Sequence, residues 1–188
     1  MSLTERELWT VIHGMCLGAL FLLSFSGGLA ELWSMRGELV HAAGIDKCVR
    51  RLIVGTWVMA IVAWLTVISG TYVVYPWYRA APPKQAAASQ PMQSMEKVDL
   101  TQYPKAYLVA NPKTAAWHSF GMEWKEHVAW LAPLLATVVA FAVVRFGKQL
   151  SENRTARYTV ISLFFLSFAI AGIAGVLGAL ITKAAPLT

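Results

Sequence analysis

Two histidines lie near the starts of two hydrophobic stretches of this chain, each shortly after a tryptophan. His13 follows Trp9 by four residues, and His127 follows Trp124 by three. An ionisable side chain inside a membrane span is costly and is by default a candidate functional residue. Imidazole is a common ligand of haem iron, and two imidazoles leave no open coordination position, which favours electron transfer over oxygen chemistry. The pattern predicts a haem b with His13 and His127 as its axial ligands.

The two histidines are expected at the same depth of a membrane. Tryptophan prefers the membrane–water interface, so Trp9 and Trp124 mark that boundary. At about 1.5 Å per helical residue, His13 and His127 both lie about 5 Å inside it. A four-helix bundle with ligands projecting inward from two helices is an established way to hold haem.

The neighbours of the histidines fit the same prediction. Gly14 and Gly18 leave room for a flat porphyrin beside the first helix, since small residues permit close approach. Lys125 is the expected counter-ion of a haem propionate. Other cations near the same boundary are Arg6, Arg79 and Lys113.

Two alternatives concern the second ligand. His118 can replace His127 if the ligand comes from the segment before the helix. His118, Met122, Glu123 and His127 could also form a non-haem metal site, because histidine with carboxylate or methionine suits transition metals. Against the metal site, Glu123 and Glu126 fit an ordinary helix start, where acids complement the helix dipole.

The composition indicates the elements that position these residues. Of the 188 residues, 57% are hydrophobic and 14% are charged, which is too apolar for an ordinary soluble domain. The hydrophobic residues form runs long enough to cross a bilayer. We therefore predict an all-α integral membrane protein, a single domain with a four-transmembrane-helix bundle. The predicted helices are residues 8–33, 52–77, 122–146 and 158–181, with a long extracytoplasmic loop at 78–121.

The net charge of +6 is explained by two short basic loops rather than by nucleic-acid binding. Short loops rich in lysine and arginine face the cytoplasm. The chain is thus predicted to be multi-pass in the inner (plasma) membrane, with both termini extracytoplasmic. His41, in the first loop, is expected to be solvated. The basic loop residues are Arg36, Lys47, Arg50, Arg51, Arg145, Lys148, Arg154 and Arg157.

The predicted outer loop has two parts of different composition. Residues 82–95 are rich in alanine, proline and glutamine and are expected to be mobile. The second part carries Tyr103, Tyr107 and Trp117, whereas disordered linkers are poor in aromatics. We expect this part to cover the mouth between the first and third helices.

The architecture with His13 and His127 resembles the small four-helix haem b membrane subunits that pass electrons between quinone and a partner protein. The resemblance covers the helices and not the loop. It implies a subunit of a respiratory or photosynthetic electron-transfer complex rather than a stand-alone enzyme. Lipid and other membrane subunits are its expected partners, and a quinone is a further candidate cofactor. The alternatives are a non-redox accessory subunit of such a complex and, more weakly, a transporter or metal-binding membrane protein.

Overall fold

The computed structural model describes residues 3–36, 44–82 and 99–185, and within these ranges the chain is helical without a strand. Four of the described helices are long and apolar enough to cross a membrane. They are Glu5–Ser34, Ile45–Arg79, Pro112–Phe146 and Arg154–Ala184, which we call the first to fourth long helices. Shorter helices are Leu100–Gln102, Pro104–Ala110 and Gln149–Glu152. The predicted all-helical class with four long helices is confirmed.

Each long helix extends beyond the apolar run from which it was predicted. Polar capping residues account for several of the added turns, because their side chains satisfy free N–H groups. Thr4 and Glu7 form a capping box before the first helix, and Asn153 accepts a 3.0 Å bond from the Ala156 N–H. Asn111 caps the third helix at Lys113, so this helix begins ten residues earlier than predicted, at Pro112. The predicted loop 78–121 is therefore largely helical in its second part.

The long helices pack in chain order around one core, with the fourth returning to the first. The close approach of the first, second and fourth helices depends on two glycines. A methyl group at Gly28 would stand 2.8 Å from Cζ of Phe164, and one at Gly55 would stand 3.9 Å from Gly28 Cα. Phe25 and Phe168 stack beside this contact with ring centroids 4.0 Å apart. The first, second and fourth helices are thereby held together at mid-length.

At one end of the bundle, a buried arginine joins three chain segments. Nη1 of Arg157 donates to the carbonyl oxygens of Met35 (3.1 Å), Leu150 (2.8 Å) and Ser151 (3.2 Å). The Met35 carbonyl lies at the end of the first long helix. The Leu150 and Ser151 carbonyls lie in the short helix before the fourth. We call this the Arg157 end of the bundle. Nearby, the Glu31 carboxylate forms an ion pair with Arg51 at 2.7 Å.

The aromatic part of the connecting segment is folded onto the bundle, but not where we expected it. Leu108 is fully buried in a cluster with side chains from the ends of the second, third and fourth helices. That cluster contains Tyr78, Met122, Ile181 and Ala185. The expected cover over the first and third helices is thus wrong in position, because the apolar surface that Leu108 finds belongs to the other side of the bundle. Residues 83–98, which include most of the expected mobile part, and His41 lie outside the described residues.

Candidate functional site

His13 is held between the first two helices by a fixed hydrogen-bond chain. Its Nδ1 lies 3.0 Å from Oγ of Ser69, and that hydroxyl donates to the Thr66 carbonyl at 3.1 Å. A serine hydroxyl has one proton, so Ser69 Oγ accepts from His13 Nδ1–H. In the neutral imidazole this places the lone pair on Nε2.

Glycine makes the space that the His13 ring occupies. A methyl group at Gly70 would stand 2.7 Å from Cε1 and 3.2 Å from Nε2 of His13. Such contacts are too short for any other residue at position 70 unless the ring moves.

Lys125 occupies the corresponding place on the third helix. A methyl group at Gly178 on the fourth helix would stand 2.9 Å from Nζ of Lys125. His13 with Gly70 and Lys125 with Gly178 are thus two contacts that include a residue from each long helix. We call these four residues the polar layer. We call this end of the bundle the His13 end.

The helices change their winding at this end. Ile12–Cys16, Gly70–Val74, Trp117–Met122 and Trp124–Val128 are π-helical turns. The π-helix is rare, and single turns of it occur frequently at functional sites. Here three of the four long helices depart from α geometry beside the same layer, which makes the layer the strongest site candidate in the described chain.

His127 does not lie in this layer. Its side chain is 70% exposed, and its Nδ1 lies 3.1 Å from the Glu123 carbonyl oxygen and 3.4 Å from the Glu123 carboxylate. Our expectation that His13 and His127 face each other therefore differs from the described arrangement. The physical reason is the π-helical turns around it, because faces counted at 3.6 residues per turn no longer apply. As at His13, however, the acceptor is fixed: a carbonyl can only accept, so Nδ1 donates, and in the neutral imidazole Nε2 carries the lone pair.

His118, the substitute ligand, is engaged elsewhere. Its Nδ1 lies 2.9 Å from the hydroxyl of Tyr78, which is stacked on Tyr75 at 6.2 Å. The Tyr75 hydroxyl in turn donates a hydrogen bond to the Glu126 carboxylate. These pairs join the ends of the second and third helices beside the layer.

The remaining predicted site residues are in open positions. A methyl group at Gly14 or Gly18 would meet nothing within 4 Å. Within the part of the chain that the structure describes, these glycines therefore pack against no other helix, and they leave free surface on the first helix. Of the other predicted cations, Arg79 lies over the Tyr75 ring at 5.4 Å.

A non-haem metal site gains no support from the described residues, which contain no group of three or more histidine, cysteine, aspartate or glutamate side chains able to hold a metal ion. The histidine–glutamate ion pair found in the described ranges, His127 with Glu123, lies on one helix turn.

No protein-family model matches the chain, and neither a curated protein nor a solved structure is significantly similar to it. The functional argument therefore depends on the residues themselves.

Sequence reasoning missed Gly70 and Gly178 of the layer, and also Ser69, whose hydroxyl holds His13. Ser69, Gly70 and Gly178 carry no signal of their own, because their roles depend on side chains from other helices. Lys125 was predicted as the counter-ion of a haem propionate, and in the structure its Nζ approaches Gly178 of the fourth helix. The depth of Lys125 could have indicated its role. A lysine inside the membrane boundary is costly, as a histidine is, and is therefore also a candidate functional residue.

Proposed function

We propose that this chain is a membrane-embedded b-type cytochrome subunit of an electron-transfer complex, with His13 and His127 as haem ligands. One observation carries the proposal: at each histidine, a fixed acceptor takes the Nδ1 proton. Histidines that bind metals almost always donate their other ring N–H in this way, which fixes the tautomer and raises the basicity of the ligand nitrogen. Both Nε2 atoms thus have the electronic form that an axial ligand needs.

Two neutral imidazole nitrogens are suitable ligands for haem iron. His127 is exposed, however, and the two histidines do not line one pocket. The haem would supply the one-electron carrier. The chain's own part is to orient the imidazoles, through Ser69 at His13 and through the Glu123 carbonyl at His127. Two imidazole ligands would close the iron to other reactions.

A second candidate is a non-redox accessory subunit of the same kind of complex. The exposure of His127 favours it, together with the tight packing of His13 against Gly70. In that case the polar layer would join the helices and hold no cofactor.

We further propose that the chain spans the inner (plasma) membrane with both termini outside the cytoplasm. The four long apolar helices support the crossing, and the basic residues near the Arg157 end support the direction. The His13 end would then face outward, towards the partner that gives or takes electrons.

Cysteine labelling tests this direction. In a background with Cys16 and Cys48 replaced by serine, we expect Ser89→Cys to react with an impermeant maleimide in intact cells. Glu152→Cys should stay unlabelled until the cells are opened; it is chosen because it leaves the Asn153 cap in place. Labelling of Glu152→Cys alone in intact cells would show that the direction is reversed.

The haem is tested by the reduced-minus-oxidised visible spectrum of the purified protein. The cytochrome proposal expects the α band of a low-spin b-type haem. A featureless spectrum, from protein purified out of haem-supplemented cells, would overturn it in favour of the accessory subunit.

A further inference from the structure

The fourth long helix carries a shallow, open depression on its exposed side, beginning in its first turn at the Arg157 end. The depression has a volume of about 480 Å³. Its lining residues form two rows with a spacing of four residues, so each row follows one line along the helix surface. The rows are Arg154, Tyr158 and Ser162, and Thr155, Thr159 and Leu163.

The polarity of this surface changes in one direction along the helix. Arg154 provides a cation in the first turn, and hydroxyl groups follow it. The hydroxyls of Tyr158 and Ser162 form no hydrogen bond with another described residue. One turn further in the same row, Leu166 exposes apolar surface. Charge, hydroxyl groups and apolar surface thus follow in the order of the phosphate, glycerol esters and acyl chains of a phospholipid.

The Arg154 guanidinium is available for an anionic ligand. It lies 5.4 Å above the Tyr158 ring and forms no ion pair within the described ranges. The acids that form ion pairs at this end, Glu31 and Asp46, do so with other cations. Arginine suits a phosphate because its planar fork of N–H groups matches the phosphate oxygens.

Two other long helices end in a similar pair of side chains. Arg36 lies 3.8 Å from the Trp33 ring centroid, and Arg145 lies 5.2 Å from that of Phe146. Both rings are exposed. Exposed tryptophan and arginine at the ends of apolar helices are typical of the membrane interface, where lipid headgroups lie. These pairs therefore place the start of the depression at headgroup level.

We propose that this depression binds one anionic phospholipid, with its phosphate at Arg154. The Tyr158 and Ser162 hydroxyls donate to the glycerol ester oxygens, and an acyl chain lies along Leu166. The unpaired arginines at this end disfavour a headgroup that carries its own positive charge, such as choline, and favour an anionic one. The inference rests on the proposed membrane crossing and is independent of the haem.

Arg154→Gln tests the site. Arg145→Gln is the matched control, because Arg145 is also exposed and lies near a ring but does not line the depression. Delipidated protein in a neutral detergent is titrated with phosphatidylglycerol while the thermal unfolding midpoint is followed. We expect the lipid to raise the midpoint of the parent, because a ligand that binds the folded state stabilises it. Arg154→Gln should bind it about 10-fold more weakly, as expected for one lost hydrogen bond from a charged group.

The controls separate lipid binding from other effects. Arg145→Gln should bind phosphatidylglycerol almost as the parent does, and Arg154→Gln without lipid should unfold as the parent does. Phosphatidylcholine and inorganic phosphate should shift the midpoint far less than phosphatidylglycerol. A shift with inorganic phosphate as large as that with phosphatidylglycerol would show a site for free anions and overturn the lipid proposal.

Native mass spectrometry counts the bound lipid. We expect one phosphatidylglycerol to remain on each parent chain and none on Arg154→Gln. Equal losses of affinity in the two arginine variants, or no effect of phosphatidylglycerol on the parent, would show that the site is wrong, whatever the visible spectrum shows. A selective loss in Arg154→Gln supports the site even in protein without haem, so this test and that of the cytochrome fail separately.

Discussion

His13→Ala and His127→Ala are each expected to abolish the low-spin α band of the purified protein. Each change removes the nitrogen that we assign to the iron, and a haem with one remaining imidazole cannot stay in the two-imidazole state. The expected effect is complete loss of the band, measured in the reduced-minus-oxidised spectrum at equal protein concentration. Size-exclusion profiles that match the parent would show that the loss is not caused by misfolding.

Ser69→Ala gives a graded version of the same test. It leaves His13 in place but removes the oxygen that accepts its Nδ1 proton. Loss of such a partner typically weakens metal binding by about 10- to 100-fold. We therefore expect weaker haem retention with the band still present.

Two further histidine variants complete the set. His41→Ala should leave the band intact. If His118→Ala removes the band while His127→Ala does not, the second ligand is His118 and our choice on the third helix is wrong. Retention of the band in His13→Ala would contradict the proposal outright.

Arg157→Met is expected to cause the largest loss of stability among single changes. The buried guanidinium donates to carbonyl oxygens of Met35, Leu150 and Ser151, which lie in two other segments. Hydrogen bonds from charged groups are each worth about 1.5–3 kcal/mol, and the carbonyls left behind would be buried without donors. We expect the free energy of unfolding to fall by about 3 kcal/mol or more.

Arg154→Met is the matched control. Arg154 is exposed and lies 5.4 Å above the Tyr158 ring, a contact worth about 1 kcal/mol or less. Denaturant titration of the protein in micelles measures both variants. Equal losses for the two arginines would show that the Arg157 bonds do not hold the ends of these helices together.

The long helices could be predicted because length and hydropathy alone define a run able to cross a bilayer. Their ends could not be predicted from hydropathy, since they depend on caps such as Thr4, Asn111 and Asn153, which lie outside the apolar runs. Arg157 was counted only as a basic loop residue. Its burial depends on the carbonyl groups that the chain brings to it, which no local pattern reveals.

The candidate site was predicted in part for a related reason. His13 was found because a histidine inside an apolar run is conspicuous. Its partner across the bundle was misjudged because the π-helical turns around Lys125 and His127 change which residue faces inward. The roles of Gly70 and Gly178 could not be predicted, because they depend on the His13 ring and the Lys125 ammonium, which approach them from other helices.

The central claim, a haem iron held by two histidine nitrogens, is tested most directly by low-temperature electron paramagnetic resonance of the oxidised protein. We predict a single low-spin ferric species with two imidazole ligands, which is lost in both His13→Ala and His127→Ala. A high-spin ferric signal in the parent would mean that one coordination position is open. That result, or the absence of any haem iron signal, would contradict the claim.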